Sequence, residues 1–166
     1  MSLLCRCAIG VAAAALLAAA WQPALADPAA GPRYADGAAT FQANCVVCHG
    51  HGGLGQPSLA PPLTGYPARY IASADGRRQL AMTVLDGMYG DVVVDRKHYN
   101  FKMPDFSRLS DDTLAAVLNY VVFDLAPVPP AAAPMSAAEI AAERASPASG
   151  EAVRRHRAAL LPSLGL

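Results

Sequence analysis

The sequence has no excess of charge of either sign, because its 166 residues carry 13 Lys and Arg against 13 Asp and Glu. Proteins that bind nucleic acid electrostatically need a basic excess, so the balance argues against that class of partner. Aromatic residues are also few, at 7% of the chain. A small domain with few large side chains buries little apolar surface, so we expect much of its core to come from a bound group.

Residues 1–26 have the pattern of a secretory signal peptide. Arg6 supplies the positive start, residues 8–20 the apolar run, and Ala-Leu-Ala at 24–26 a small-residue cleavage site. The apolar run is short for a bilayer span. We therefore expect cleavage and a periplasmic protein, with an uncleaved N-terminal anchor as the alternative. Membrane association is expected only through such an anchor or through a partner.

Cysteine is scarce, since only Cys45 and Cys48 follow the signal segment. They belong to Cys-x-x-Cys-His at residues 45–49, the attachment sequence of a c-type haem. On a helix the three side chains share one face, so both thiols can form thioethers to the vinyl groups while His49 binds the iron. A thioredoxin-like dithiol is the alternative, whereas a zinc site would need a second ligand pair. Without haem we expect a marginal or unfolded core.

Periodicity and composition divide the chain after the signal into four parts. These are a flexible lead-in (27–32), a haem domain (33–126), a Pro/Ala-rich linker (127–135) and a helical tail (136–166). Helices are predicted over about 33–45, from 73 or 75 to 86, and over 110–125, 136–145 and 150–161. A short strand or hairpin is predicted from residue 91. The pattern leaves open whether the tail folds back on the domain.

The loop Ala-Pro-Pro-Leu at 60–63 follows the attachment motif. A haem-ligating His donates its free ring N–H to an acceptor that orients it, and a carbonyl in a stiff loop suits this role. We predict the carbonyl of Pro62, with Pro61 as the second choice. Three later residues are candidates for hydrogen bonding the haem propionates: Tyr66, Arg69 and Tyr70.

A six-coordinate haem needs a ligand opposite His49, and a neutral thioether favours ferrous iron. The candidates after the signal are Met82, Met88, Met103 and Met135. Met103 is favoured because Pro104 keeps its neighbourhood extended, so that a loop can present the sulfur. Met88 is the second choice, and His98 would serve a bis-histidine haem.

These motifs occur in an ordered set. Cys-x-x-Cys-His-Gly at 45–50 precedes Ala-Pro-Pro-Leu at 60–63, and Tyr-Asn-x-x-Met-Pro at 99–104 precedes Leu-Ser-Asp-Asp at 109–112. Over about residues 33–125 the chain resembles the class I mono-haem c-type cytochromes of the bacterial periplasm.

The resemblance implies an all-α, cytochrome c-like fold of three to five helices around one covalently bound haem, with an extended C-terminal tail. Its first and last helices would cross, with Gly37 and Phe41 meeting Tyr120. It also implies His49 and Met103 as the axial ligands of the iron.

The function implied is one-electron transfer rather than catalysis, with redox proteins such as a dehydrogenase or terminal oxidase as partners. Positive charges at Arg96, Lys97 and Lys102 are expected to steer an acidic partner, or simply form a solvated loop. One alternative is a subunit held in a larger oxidoreductase by residues 135–166, in which case deleting 127–166 would leave the haem spectrum intact. The other is an open-site haem enzyme or sensor.

Overall fold

The computed structural model describes residues 31–166. The predicted signal peptide and residues 27–30 of the predicted lead-in lie outside the described residues. Between 31 and 166, no helix is both long and apolar enough to span a bilayer. The all-α prediction is confirmed, since a single two-stranded hairpin accompanies the helices of this part of the chain. The elements are α1 (Ala35–Asn44), α2 (Val46–His49), α3 (Pro67–Tyr70), α4 (Ala74–Asp86), β1 (Val92–Val94), β2 (Lys97–Tyr99), α5 (Asp111–Asn119), α6 (Ala137–Arg144) and α7 (Gly150–Leu160).

Serine side chains begin three of the long helices, as the sequence predicts. Ser73 at α4 and Ser110 at α5 each accept a hydrogen bond from the backbone N–H three residues on. Ser136 at α6 forms a reciprocal capping box with Glu139. Each cap satisfies an N–H group that has no partner within the helix, so these starts are fixed locally.

Helix α1 crosses α5 at very short range, because position 37 has no side chain. A Cβ at Gly37 would lie 2.1 Å from the carbonyl oxygen of Ala116. Next to this crossing, the rings of Phe41 and Tyr120 pack with centroids 5.5 Å apart. The expected meeting of Gly37 and Phe41 with Tyr120 is confirmed. Because Cys45 directly follows α1, the crossing also fixes the start of the haem-attachment sequence.

The region between α4 and α5 contains the hairpin and a second short backbone pairing. Strands β1 and β2 are antiparallel, and Asp95 and Arg96 form their turn with φ of 49° and 63°. Beside the hairpin, the backbones of Met88 and Met103 exchange two hydrogen bonds of 3.1 and 2.8 Å. Directly opposed residues of an antiparallel pair point to the same side. The two methionines are therefore neighbours.

The C-terminal region folds back on the rest of the chain. Helix α6 packs against α4 and α5, and α7 packs against α4. Ile140 is fully buried and Met135 is 4% exposed, and both belong to the cluster that includes Leu80, Leu114 and Leu118. Residues of the C-terminal region therefore belong to the same core as the haem domain, and the expectation that deleting 127–166 leaves the haem spectrum intact stays a prediction.

Two arginines add polar contacts between the tail and the domain. Arg77 of α4 binds the Glu139 carboxylate at 2.5 Å and the carbonyl oxygens of Ala133 and Pro134 at 2.8 Å. Arg144 of α6 donates 2.8 Å to Asp111 and also binds two backbone carbonyls before α5. Both guanidinium groups use several of their five N–H donors at fixed angles, which orients α6.

Candidate haem site

An apolar cavity lies between the attachment sequence, helices α3 to α5 and the hairpin. The four residues predicted to hold the haem all line it: Cys45, Cys48, His49 and Met103. Aliphatic side chains form much of the remaining wall, including Leu80, Val84, Leu114 and Leu118. The structure thus brings together residues from positions 45 and 103 around one space.

The two cysteines line the cavity, Cys45 at the junction of α1 and α2 and Cys48 within α2. The carbonyl of Cys45 accepts hydrogen bonds from the backbone N–H groups of Cys48, at 3.2 Å, and His49, at 2.9 Å. Both thiols are half-buried. Burial, with a smaller effect of Cys48, raises the pKa of the Cys45 thiol to about 11. In the protein chain alone this thiol is therefore protonated at neutral pH.

His49 is oriented by a hydrogen bond to a backbone carbonyl. Its Nδ1–H donates to the carbonyl oxygen of Pro61 at 2.9 Å, which leaves Nε2 unprotonated and free to bind a metal. The side chain is 8% exposed. Burial lowers the pKa of His49, while the bond to Pro61 raises it by less. The prediction of Pro62 as the acceptor is wrong, and the second choice, Pro61, is the residue found.

Backbone contacts in the loop explain why the carbonyl of Pro61 faces His49. The N–H of Gly55 donates 2.7 Å to the carbonyl of His49 itself. A Cβ at Gly55, whose φ is +77°, would lie 2.5 Å from the nitrogen of Pro62. The loop therefore crosses directly over Gly55, which fixes the orientation of the adjoining Pro61 peptide. The sequence alone cannot show which of the two neighbouring carbonyls, that of Pro61 or that of Pro62, faces His49.

The structure divides the candidates for the second iron ligand into two groups. Met88 and Met103 line the cavity, side by side on their paired backbones. Met82 and Met135 lie in the core, 3% and 4% exposed. His98 is outside the cavity, with a largely exposed side chain bound to Asp91 at 2.9 Å.

Two of the three residues suggested for the propionates reach the cavity. Tyr66 and Tyr70 line it, and the buried hydroxyl of Tyr70 lies close to the guanidinium of Arg157 without a well-formed hydrogen bond. Arg69 is exposed, does not line the cavity and donates to the carbonyl of Gly165 at 2.9 Å, so its suggested propionate role stays a prediction that this geometry does not support. It holds the end of the chain.

Arg157 is a cavity residue that the sequence did not single out. It belongs to α7 and lines the cavity with only 7% of its surface exposed. Its neighbour one turn earlier, Val153, is fully buried. Spacing by four residues places both on the same face of α7, so the apolar character of that face was the available signal. The basic composition of the helix suggested an exposed surface instead.

The residues present fit a haem. The pair of thiols suits its vinyl groups, the Nε2 of His49 and a thioether suit its iron, and the aliphatic walls suit its ring. The buried hydroxyl of Tyr70 also matches the polar edge of a porphyrin.

Comparison with known families agrees with this geometry. The family model described as cytochrome c matches residues 34–122, just over half of the chain. The chain belongs to the cytochrome c family. Membership implies a covalently bound haem c. The match includes α1 to α5 and ends before α6 and α7.

Relatives of this cytochrome c chain include two proteins named cytochrome c-552, both from Thermus thermophilus. Each is 40% identical over 87 residues, which is 52% of this chain and 66% or 58% of the relative. A protein named thiosulfate dehydrogenase electron acceptor, from Thiomonas intermedia (strain K12), is 40% identical over 84 residues, 47% of this chain and 35% of that protein. The chain thus matches less than two thirds of the length of each relative.

Proposed function

We propose that this protein is a one-electron carrier with a single haem attached through Cys45 and Cys48. His49 and Met103 would bind the iron from opposite faces. The observation that carries the proposal is the convergence of these four side chains on one apolar cavity. Bound there, the haem supplies reversible one-electron chemistry at its iron.

The contribution of the protein is to hold the ligands so that little moves when an electron arrives. The carbonyl of Pro61 fixes the tautomer and ring orientation of His49 at 2.9 Å, which also makes Nε2 a better donor. The lowered pKa of His49 keeps the imidazole neutral and able to bind the metal. A neutral sulfur ligand favours the ferrous state and so raises the reduction potential. The aliphatic walls exclude water from the site.

The choice of Met103 over Met88 rests on sequence context. Both side chains line the cavity from paired backbone positions. Met103 is followed by Pro104 and closes the Tyr-Asn-x-x-Met-Pro pattern of the cytochromes that this chain resembles. Met88 directly follows Gly87 at the end of α4 and packs against the hairpin cluster of Val92, Val94 and Tyr99. We therefore assign Met103 as the ligand and Met88 as part of the wall.

Ligation on both faces of the iron makes the protein a carrier rather than an enzyme. A reaction at the iron would need an open coordination position, which the sulfur of Met103 would fill in the bound haem. The open-site alternative predicts rapid carbon monoxide binding to the native ferrous protein. The carrier predicts slow or no binding.

The expected partners are redox proteins such as a dehydrogenase or a terminal oxidase, met in the periplasm after export. One relative is named for accepting electrons from thiosulfate dehydrogenase, which supports a dehydrogenase as the donor. The exposed apolar side chains of Val47 and Phe101, 73% and 68% exposed, lie close in sequence to Cys48 and Met103. Lys97 and Lys102 are exposed nearby. Such a mixed surface suits brief docking steered by charge.

The visible spectra of the ferric and ferrous holoprotein test the proposal, recorded for the wild type, Met103→Ala and the matched control Met88→Ala. A low-spin c-type spectrum with a weak far-red sulfur-to-iron band is expected for the wild type and for Met88→Ala. Met103→Ala should lose the band. If the band is missing from the wild type, or is lost only in Met88→Ala, the assignment of Met103 is wrong.

A further inference from the structure

Arg157 is a buried cation with no acidic partner among residues 31–166. The side chain is 7% exposed. Within residues 31–166 its Nη2 donates to the carbonyl of Val93 at 3.3 Å, and its guanidinium lies close to the hydroxyl of Tyr70. No ion pair within 4.0 Å links it to a carboxylate of those residues. A guanidinium has five N–H donors, and burying its charge is costly unless an anion and hydrogen bonds compensate.

Two other partly buried arginines of this chain have ion pairs and hydrogen bonds that compensate for the burial of their charge. The guanidinium of Arg77 binds the carboxylate of Glu139 and three backbone carbonyls. That of Arg144 binds Asp111 and two carbonyls. Arg157 is more buried than either and has neither an acid nor a second carbonyl among the residues described. Its missing partner must therefore come from outside this part of the polypeptide, on the side where it faces the cavity.

Arg157 lies at the tyrosine side of that cavity. Its guanidinium carbon is 5.7 Å from the ring centroid of Tyr66. Burial raises the pKa values of Tyr66 and Tyr70, and the charge of Arg157 partly opposes both shifts. The pKa of Cys45 is instead set by burial and by Cys48. The charge of Arg157 therefore acts on the tyrosine side of the cavity.

A haem attached to the cysteines by its vinyl groups brings two carboxylates into the cavity on its other pyrroles. They are the anionic groups of the cofactor, and a guanidinium matches a carboxylate with two parallel hydrogen bonds. We propose that Arg157 binds a haem propionate in this way, with the buried hydroxyl of Tyr70 as a second donor. This assignment rests on the proposed attachment of haem at Cys45 and Cys48.

The proposal makes α7 part of the cofactor site. The family match ends at residue 122, so Arg157 lies outside the segment that matches the family model. Helix α7 reaches the cavity because it packs on α4, where His156 also binds the side-chain oxygen of Gln79 at 2.7 Å. Packing of α7 on α4 would then also help to retain the haem.

The direct test is proton NMR of the wild-type holoprotein in the diamagnetic ferrous state. Nuclear Overhauser effects are expected between the side-chain N–H protons of Arg157 and the methylene protons of a haem propionate. If Arg157 is assigned and shows no such effect to either propionate, the proposal is overturned. The visible spectrum of the same sample reports haem attachment separately, so failure of the proposed function is distinguishable.

The reduction potential of variants tests the energetic consequence. Arg157→Gln should lower the midpoint potential, because removing a buried cation beside the haem stabilises the ferric form. It should also shift the propionate bending band in resonance Raman spectra. Arg157→Lys should retain part of the wild-type potential. The control Arg155→Gln removes the same charge from the exposed face of α7 and should change neither observable.

Equal shifts in Arg157→Gln and Arg155→Gln would contradict the proposal, since the effect would then be one of net charge. If Arg157→Gln fails to accumulate as a haem protein, the wild-type NMR measurement alone decides.

Discussion

Asn119 and Met135 exchange two buried hydrogen bonds. The side-chain Nδ2 of Asn119 donates to the carbonyl of Met135 at 3.0 Å, and the N–H of Met135 donates to Oδ1 at 2.7 Å. Asn119 is the last residue of α5, and Met135 is the last residue of the segment predicted as a linker. One amide thus holds the backbone that leads into α6 in place.

Asn119→Asp should loosen the C-terminal region. A carboxylate accepts from the N–H of Met135 but cannot donate to its carbonyl, which leaves a buried acceptor unpaired beside a buried charge. The loss should be about 1–3 kcal/mol in the free energy of unfolding. Denaturant unfolding of the holoprotein, followed by circular dichroism, measures it. A variant as stable as the wild type would contradict the importance of this pair.

Ile140→Ala should destabilise the whole protein. Ile140 is fully buried in the cluster that contains Leu114 and Leu118, so the substitution opens a cavity in the main core. The expected cost is about 2–5 kcal/mol, measured from the midpoint of denaturant unfolding. Val128→Ala is the control, because Val128 is 80% exposed and should change stability by less than about 0.5 kcal/mol. If Ile140→Ala and Val128→Ala both had similarly small effects, the C-terminal tail would contribute little to the stability of the haem domain.

Gly37→Ala should weaken the crossing of α1 and α5. The new Cβ would lie 2.1 Å from the backbone oxygen of Ala116, and the two helices must separate to admit it. Overpacking of this kind costs about 1–3 kcal/mol. A lower midpoint of thermal unfolding is the expected observation. Gly65→Ala is the matched control, since a Cβ there meets nothing within 4 Å; equal midpoints for both variants would refute the close crossing.

Glu139→Gln should flatten the loss of stability in acid. Hydrogen bonding from Arg77 holds the pKa of Glu139 at about 2, below its usual value of 4.5. A lowered folded pKa gives stability that is present above about pH 4.5 and is lost as the pH falls towards about 2. Because the carboxylate side chain is 37% exposed, screening limits the contribution to about 1 kcal/mol.

Unfolding free energies measured between about pH 2 and 6 check this, with the wild-type and Glu139→Gln curves converging at the acid end. The control is Glu151→Gln, which removes an exposed partner of Arg155. Curves that stay parallel for Glu139→Gln would show that the pair with Arg77 is not linked to protonation.

The local features of this fold are readable from the sequence because local chemistry determines them. A serine before an apolar run satisfies free N–H groups wherever the helix lies, so Ser73, Ser110 and Ser136 marked their helices correctly. The motif at 45–49 likewise depends on spacing along one turn. The short strand pairing after Gly90 was also anticipated.

Three features that depend on distant contacts were not readable from the sequence. The orientation of the Pro61 carbonyl depends on the approach of the loop to Gly55. The burial of Met135 depends on Asn119, and that of Arg157 depends on α7 docking against α4. A proline-rich segment and a basic helix have exposed character by composition, and only tertiary contacts override it.

Because α7 contributes to the cavity, the cavity wall is completed only late in synthesis of the chain. Cys45 and Arg157 are more than a hundred residues apart, so that length of chain must be made after Cys45 before the two can line one cavity. Closing so long a loop is slow compared with forming α1 and α2. A chain that ends before α7 would therefore lack the part of the cavity wall that Arg157 provides.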